Sequence, residues 1–538
     1  MDLKMQGVEL TTNPDTASSD LAEPYLGSLL TSLGLDIYYH RSQKDTLYHY
    51  NKESQEVPVL DFVGGYGSTV LGHNHPDLVE YAKQLLDNET AIHAQFSKHP
   101  YANDLTQNIN SVIRREFTTT DEYSAIFANS GAEAVEVAVK HAEMDRITKA
   151  TELLERVAEN RTKARSAIAD GALIAFDDPY DRLASATGLP LDATPDEFMA
   201  EAERVNGERA AAPPVLLALE GSFHGKLIGS VQLTHNAGFR TPFTSLATQC
   251  RFLPTDDTDT LVSVIENERK VVFDFVVEGG AVRVVERDLP VIAALIIEPV
   301  QGEAGIRPLG EETAQRIQKM CTAVGCPIII DEVQSGMGRT GAFFASSRLG
   351  LQGDYYTLAK SLGGGIAKAA MTLISKARYR DEFELVHSST FAKDAFSTLI
   401  ACRTVDLLEA DGGAAYRLAE ARGERLLSML RRLRDDFPTV IDDVRGVGLM
   451  VGIEFRDQSG SPAGFIAEQA RSGLLGYALA GYLLRQHSLR VLPTASATNT
   501  LRLEPSVYIT DDEISQLEAG LRGLALALRD NDGTALLP

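Results

Sequence analysis

Short apolar runs recur along the middle of the chain, separated by helix-forming sequence: YSAIFAN, PPVLLALEGSF, LPVIAALIIEPV, GCPIIIDEV and MTLISKA. Continuous apolar strands flanked by helices indicate a parallel sheet buried on both faces. Such sheets take ligands at the carboxyl ends of their strands. Several of these runs end in unusual polar clusters, so the chemistry is expected there. With 538 residues the chain exceeds what one core fills, and a second, smaller unit is expected beside the sheet.

The expected architecture is α/β. A large domain with a mostly parallel, seven-stranded-type sheet spans 76–394. A smaller α+β domain is built from segments 23–75 and 395–538, and residues 1–22 read as a flexible tail. In the first small-domain segment IYYH, TLYHY and PVLDFV read as strands. His75-Pro76-Asp77 opens a helix whose Leu78, Tyr81, Leu85 and Leu86 share one face. Residues from Asp511 onward form an amphipathic helix. Two stretches read as insertions. One, about 144–213, is charged, Ala-rich and helix-forming. The other, about 271–287, reads as a hairpin around a Glu-Gly-Gly turn. The first insertion is suited to covering a pocket mouth, extending a dimer or docking a carrier protein, and sequence does not choose among these.

The net charge is −24, from 51 Lys+Arg and 75 Asp+Glu. A surface that acidic repels phosphate backbones, so no nucleic-acid partner is expected. Four cysteines show no zinc-ligand spacing, so no metal is expected and a reducing, cytoplasmic location is. The N-terminus lacks a basic start followed by an apolar stretch, and the uncharged run Ser472–Leu484 is too short for a bilayer. No membrane association is expected.

Four clusters carry the chemistry. Ser130-Gly131-Ala132 follows a strand and opens a helix, where free N–H groups suit a phosphate; an ordinary helix cap is the plainer reading. Phe223-His224 follows VLLALE, and an exposed aromatic there can stack on a flat heterocycle, although a core Phe and a structural His are commoner. Asp331 ends the strand of IIIDEVQ. Its carboxylate can keep a ring nitrogen protonated, or simply cap a helix. Lys360 ends YYTLAK ahead of SLGGG. A desolvated lysine forms Schiff bases, whereas a surface lysine does not. Each signal is weak alone. Together they are a phosphate cradle, a ring stacker, a ring-nitrogen carboxylate and a Schiff-base lysine, the parts that pyridoxal 5′-phosphate (PLP) requires.

With DFVGGYGSTVLGHNHP, ANSGAEAVEVAVKHA, EGSFHGK, IIEPVQGEAGI, DEVQSGMGRTG, LAKSLGGG, STF and VRGVGLMVGIEF, the chain resembles the class III, ornithine/ω-amino-acid group of PLP-dependent aminotransferases, fold type I. The resemblance runs from about residue 38 to Arg502, apart from the insertions. It implies that Lys360 forms the Schiff base and moves the proton. Asp331 would pair with the ring nitrogen, and Ser130, Gly131 and Ala132 would hold the phosphate. Phe223, with His224 near it, would cover one ring face and Val333 the other. Gln334 would lie near the phenolic oxygen, and Glu298 would support the site from behind. Thr390 would reach the phosphate of a neighbouring subunit, which implies a homodimer with shared active sites. Arg502 resembles the arginine that grips a substrate α-carboxylate with two parallel hydrogen bonds. Glu303 resembles the acid that pairs with it when an ω-amine is bound instead, and Tyr66 is a candidate for the substrate pocket. FAKDAFS after Thr390 departs from the family's Gly-Gly-Asn-Pro-like run.

The function implied is ping-pong transfer of an amino group from an amino-acid or ω-amine donor to a ketone or aldehyde acceptor. A racemase or epimerase, a decarboxylase or an aminomutase on the same fold is the alternative. A non-catalytic scaffold is remote, because Lys360 and Asp331 are both present. An NAD-linked oxidoreductase lacks its glycine-rich turn after the first strand.

Overall fold

A computed structural model describes residues 22–537 apart from 191 and 256. The expected tail therefore lies outside the described residues, save residue 22. Seven strands form the central sheet: β1 (Tyr123–Ala128), β2 (Val215–Leu219), β3 (Cys250–Leu253), β4 (Ile292–Ile297), β5 (Ile328–Asp331), β6 (Tyr355–Leu358) and β7 (Ala370–Ser375). Their order is β1-β7-β6-β5-β4-β2-β3. Pairing is parallel except around β7, which runs antiparallel to both neighbours. Burial on both faces follows from the unbroken apolar runs: Leu295, Ile297, Ile328 and Ile330 pack into one apolar cluster, and Ala294, Ile296 and Ile329 into another. The carboxyl tips of β1, β2, β4, β5 and β6 share one edge.

The N-terminal segment forms antiparallel strands Arg41–Gln43, Thr46–Tyr50 and Glu56–Asp61. The IYYH run itself precedes the first of these rather than forming it. Leu489–Arg490 adds to Glu56–Asp61 in parallel and so ties the two ends of the chain together. Strands Ile441–Val447, Met450–Phe455, Thr500–Leu503 and Leu492–Pro493 make another sheet, which carries Arg502. The helix Pro76–Asp87 buries Leu78 and Leu85, but Leu86 is 58% exposed. At eight residues from Leu78 it falls on the margin of the apolar stripe. Strand β3, four residues at the sheet's edge, has no counterpart in the sequence reading.

The two insertions meet. Helix Gly131–Ala169 starts at the tip of β1 and runs back along the sheet. Its 39 residues reach about 58 Å, whereas the six-residue strand covers about 20 Å. Its second half therefore projects past the opposite edge. There it packs on the hairpin Lys270–Glu278/Ala281–Leu289, which leads into the start of β4. Glu278 pairs with Ala281 across Gly279-Gly280, whose φ values of +57° and +80° suit a two-residue turn with left-handed centres. Tyr180, Phe198, Met199, Phe273 and Phe275 form the core of this module. Asn206 donates to Phe273 O at 2.8 Å and accepts from Phe273 N at 2.9 Å, standing in for a further strand. The module lies at the edge away from the polar clusters, so it does not cover the mouth of the pocket they form in its own chain.

Among the described residues no helix is long and apolar enough to cross a membrane, and no group of His, Cys, Asp and Glu could hold a metal. All four cysteines are free.

Candidate active site

The strand tips enclose a pocket lined by Gly131, Ala132, Phe223, His224, Asp331 and Lys360, with Glu298, Val333 and Gln334 completing its wall. The cavity holds about 220 Å³ and opens to solvent, somewhat less than the ~300–1,000 Å³ of ligand sites.

Asp331 is buried at the tip of β5 and held by three donors. His224 Nδ1 lies 2.8 Å from Oδ2, and Thr357 Oγ1 and Val333 N donate to Oδ1 at 3.0 and 3.1 Å. The clamp fixes the carboxylate toward the pocket. His224, expected beside Phe223, contacts Asp331, and its Nε2 is buried without a hydrogen-bond partner. Thr357 faces Asp331 across the β5–β6 register; nothing in its sequence neighbourhood marked it.

Lys360 follows β6 in a left-handed conformation, φ +48°. That is unusual for a residue with a long side chain and is the kind of strain found at functional sites. Burial pushes its ammonium below the ordinary lysine range. Glu504, Glu303 and Asp331 pull back against this, while Arg502 reinforces it. A depressed lysine is a usable nucleophile and base near neutrality.

Opposite stands the start of helix Gly131–Ala169. Ser130 caps it, Oγ accepting from Glu133 N at 3.3 Å. Ser130 is exposed, while Gly131 and Ala132 line the pocket. A methyl group on Gly131 would sit 2.7 Å from Val333 Cγ1, and one on Gly225 (φ +116°) 2.7 Å from the Ala132 Cβ. Glycine is required at both places for the cradle to close. Glu298 accepts from Phe223 N at 2.9 Å and Gly302 N at 3.1 Å, so it anchors the Phe223 loop. Burial pushes its carboxyl up to about 7; His224 works against the rise and Asp331 adds to it.

A second cluster adjoins the pocket. Arg502 is fully buried, and its Nη2 meets Glu303 Oε2 at 2.5 Å. Glu303 also accepts from Ala495 N at 2.7 Å. Burial raises the Glu303 pKa and Arg502 more than offsets this, holding the carboxyl below its ordinary value. Tyr66 lies over the guanidinium, 5.0 Å from ring centre to Cζ. Gln334 Nε2 donates to Glu504 Oε1 at 2.6 Å. Sequence reasoning passed over Glu504 and Tyr477, whose hydroxyl is raised by burial and by Tyr66 and Glu303. Thr390 is not brought to the pocket of its own chain. It is exposed, its carbonyl accepts from Gln95 Nε2 at 2.9 Å, and the neighbouring Ser389 Oγ accepts from Asn129 at 2.8 Å.

The family model for class-III aminotransferases matches residues 36–523. The chain belongs to this family. It is a PLP-dependent transaminase with the α/β architecture of fold type I. Solved structures agree on the fold. An ornithine aminotransferase from Toxoplasma gondii is 18% identical, covering 92% of each chain, with a TM-score of 0.63. A transaminase from the marine bacterium Virgibacillus is 18% identical over 92% of this chain and 94% of that one, TM-score 0.65. An amine transaminase from an uncultivated Pseudomonas species, described as PLP-bound, is 20% identical over 91% and 95%, TM-score 0.62. The residues present fit the cofactor: a clamped carboxylate, a depressed lysine and a glycine-lined helix start surround one pocket, and a buried histidine nitrogen beside it has no protein partner.

Proposed function

We propose that this pocket runs transamination in two half-reactions. A donor gives up its amine and leaves as a keto acid or aldehyde, and a carbonyl acceptor then takes the amine. The observation that carries this reading is the placement of the Lys360 amine and the Asp331 carboxylate on adjacent strand tips, in one pocket with the helix start at Gly131.

When bound, PLP supplies an electron sink that lowers the cost of taking a proton from the carbon bearing the donor's nitrogen. Lys360 would hold its aldehyde carbon, Asp331 its ring nitrogen, and Gly131, Ala132 and Ser130 its phosphate. Phe223 and Val333 would flank the ring, and Gln334 would face the phenolic oxygen. Asp331, clamped by His224 and Thr357, keeps a proton on the nitrogen it faces. Lys360 Nζ, depressed by burial, accepts the proton from the donor's carbon and returns it. Arg502 offers two N–H groups to a donor α-carboxylate once Glu303 moves aside.

We further infer a cytoplasmic homodimer in which Thr390 serves the partner's phosphate site. The segment before and after it is exposed and apolar, with Leu385 89%, Val386 67% and Phe391 61% exposed, as a surface covered on assembly would be. The test is an absorbance spectrum of the purified protein before and after adding L-glutamate, L-alanine and diamines in turn. A yellow band that bleaches while keto acid or aldehyde is released is expected. A band that shifts and never bleaches would move the reading to a racemase or decarboxylase.

A further inference from the structure

Glu504 is a carboxylate that the roles above leave unused. It lies two residues beyond Arg502 at the end of strand Thr500–Leu503, and a two-residue step along an extended chain places side chains on one face. Glu504 is fully buried. Its Oε1 is satisfied by Gln334, but Oε2 has no hydrogen-bond partner and stands 3.8 Å from Arg502 Nη1. Arg502 in turn has Nη2 on Glu303 and neither Nε nor Nη1 in a hydrogen bond. Arg339, the other buried guanidinium nearby, spends Nη1 on the carbonyls of Leu449 and Pro505, and its Nη2 reaches Gly67 O at 3.4 Å. Arg502 thus faces two carboxylates, and Glu504 is also the strongest charge acting on Arg339.

This arrangement disfavours an anion. A donor α-carboxylate arriving at Arg502 has to displace Glu303 and still meets the like charge of Glu504 on the other side. An amine without a carboxylate on its reacting carbon asks for neither change. We propose that Glu504 sets the substrate class of this pocket: with Glu303 it holds Arg502 neutralised and selects primary amines that lack a carboxylate on the reacting carbon, such as aliphatic diamines, over α-amino acids. Like-charge discrimination of this kind rejects the wrong partner instead of improving the right one. Glu504 is also the strongest charge acting on Lys360, ahead of Glu303 and Asp331.

The inference rests on the transaminase reading, and its test separates the two. The holoenzyme, Glu504→Gln and Glu504→Ala are each assayed for kcat/KM with L-glutamate and with 1,4-diaminobutane. Each is also titrated by calorimetry with glutarate, a dicarboxylate with no amine to react. The wild type is expected to prefer the diamine. Both variants should shift the preference at least tenfold toward L-glutamate and tighten glutarate binding at least tenfold. Glu504→Gln keeps the side chain's shape, so agreement between the variants assigns the effect to charge and not to packing. An unchanged preference with unchanged glutarate binding overturns the proposal, as does an equal loss with both donors. If the wild type transaminates nothing, the transaminase reading falls. The glutarate titration then still decides for Glu504: tighter binding in both variants upholds its control of Arg502, and unaltered binding ends it.

Discussion

The two edges of the central sheet are built by different physics. At the pocket edge Lys360, Tyr66, Ile306 and Met337 all carry a positive φ without being glycine, whereas in the described parts of the insertion module no residue other than glycine does. His224 Nε2, Arg339 Nε, two Arg502 nitrogens and Glu504 Oε2 are buried around the pocket without hydrogen bonds. In the module Asp177 Oδ1 is the exception among paired neighbours: Asn206 bonds both ways to Phe273, and Asp274 accepts from Arg287 Nε at 3.1 Å and from Asn160. Thr194 and Glu197 cap their helix reciprocally. One edge holds strain and unpaired charge where a ligand can use them. The other minimises both. Function and stability are therefore separable in this chain, and substitutions at the two edges should fail in different ways.

The largest effect is expected from Lys360→Ala. Turnover should fall by on the order of 10³-fold or more, since nucleophile and base are lost together. The melting temperature should hold or rise, because a desolvated amine is removed from the interior. Keto-acid release and a thermal melt measure both; retained turnover ends the role given to Lys360. Phe273→Ala should do the reverse. Emptying the module core of a buried phenyl ring costs about 3–5 kcal/mol and should expose the 144–213 segment to proteolysis, while kcat/KM stays within about twofold. A matching loss of activity would show the edges coupled. Arg502→Ala sharpens the contrast within the pocket edge. Losing a charge-assisted hydrogen-bond pair, about 1.5–3 kcal/mol, should raise KM for α-carboxylate donors about 10- to 100-fold and for simple amines far less. Equal changes would remove Arg502 from carboxylate binding.

How far the sequence disclosed this division depends on whether the signal is local. The tips of β1, β2, β5 and β6 were legible because each joins an apolar run to a polar cluster within a few residues. Lys360 and Asp331 stand out in the sequence for that reason. Glu504 was not legible. It sits beyond a short strand, ahead of Pro505, where an exposed loop acid is the ordinary expectation, and its burial depends on Gln334 and Arg339 arriving from elsewhere. The core shared by Phe198 and Phe273 was hidden for the same reason, since strands β2 and β3 intervene and neither insertion carries a mark of the other. Strand β3 is too short to stand out, and its Arg251 breaks the apolar run.

A further effect separates the edges by pH. Burial lifts the Glu298 carboxyl to about 7 in the folded chain, against 4.5 for the free group. Between those values the folded protein binds the proton and the unfolded chain does not. The contribution to stability is therefore fully present below about pH 4.5 and is lost as pH rises through 7. A gap of that size bounds the change at about 3 kcal/mol. Glu298→Gln cannot ionise and should escape the loss. The variant's stability minus that of the wild type should therefore grow from about pH 5 to about pH 7.5. Urea midpoints of the two holoenzymes at both pH values measure it. A difference that shrinks with pH would mean Glu298 is held ionised, with its neighbours outweighing burial. Asn206→Ala, which breaks paired neutral groups in the module, should show a deficit that does not vary over the same range, because no proton is exchanged there.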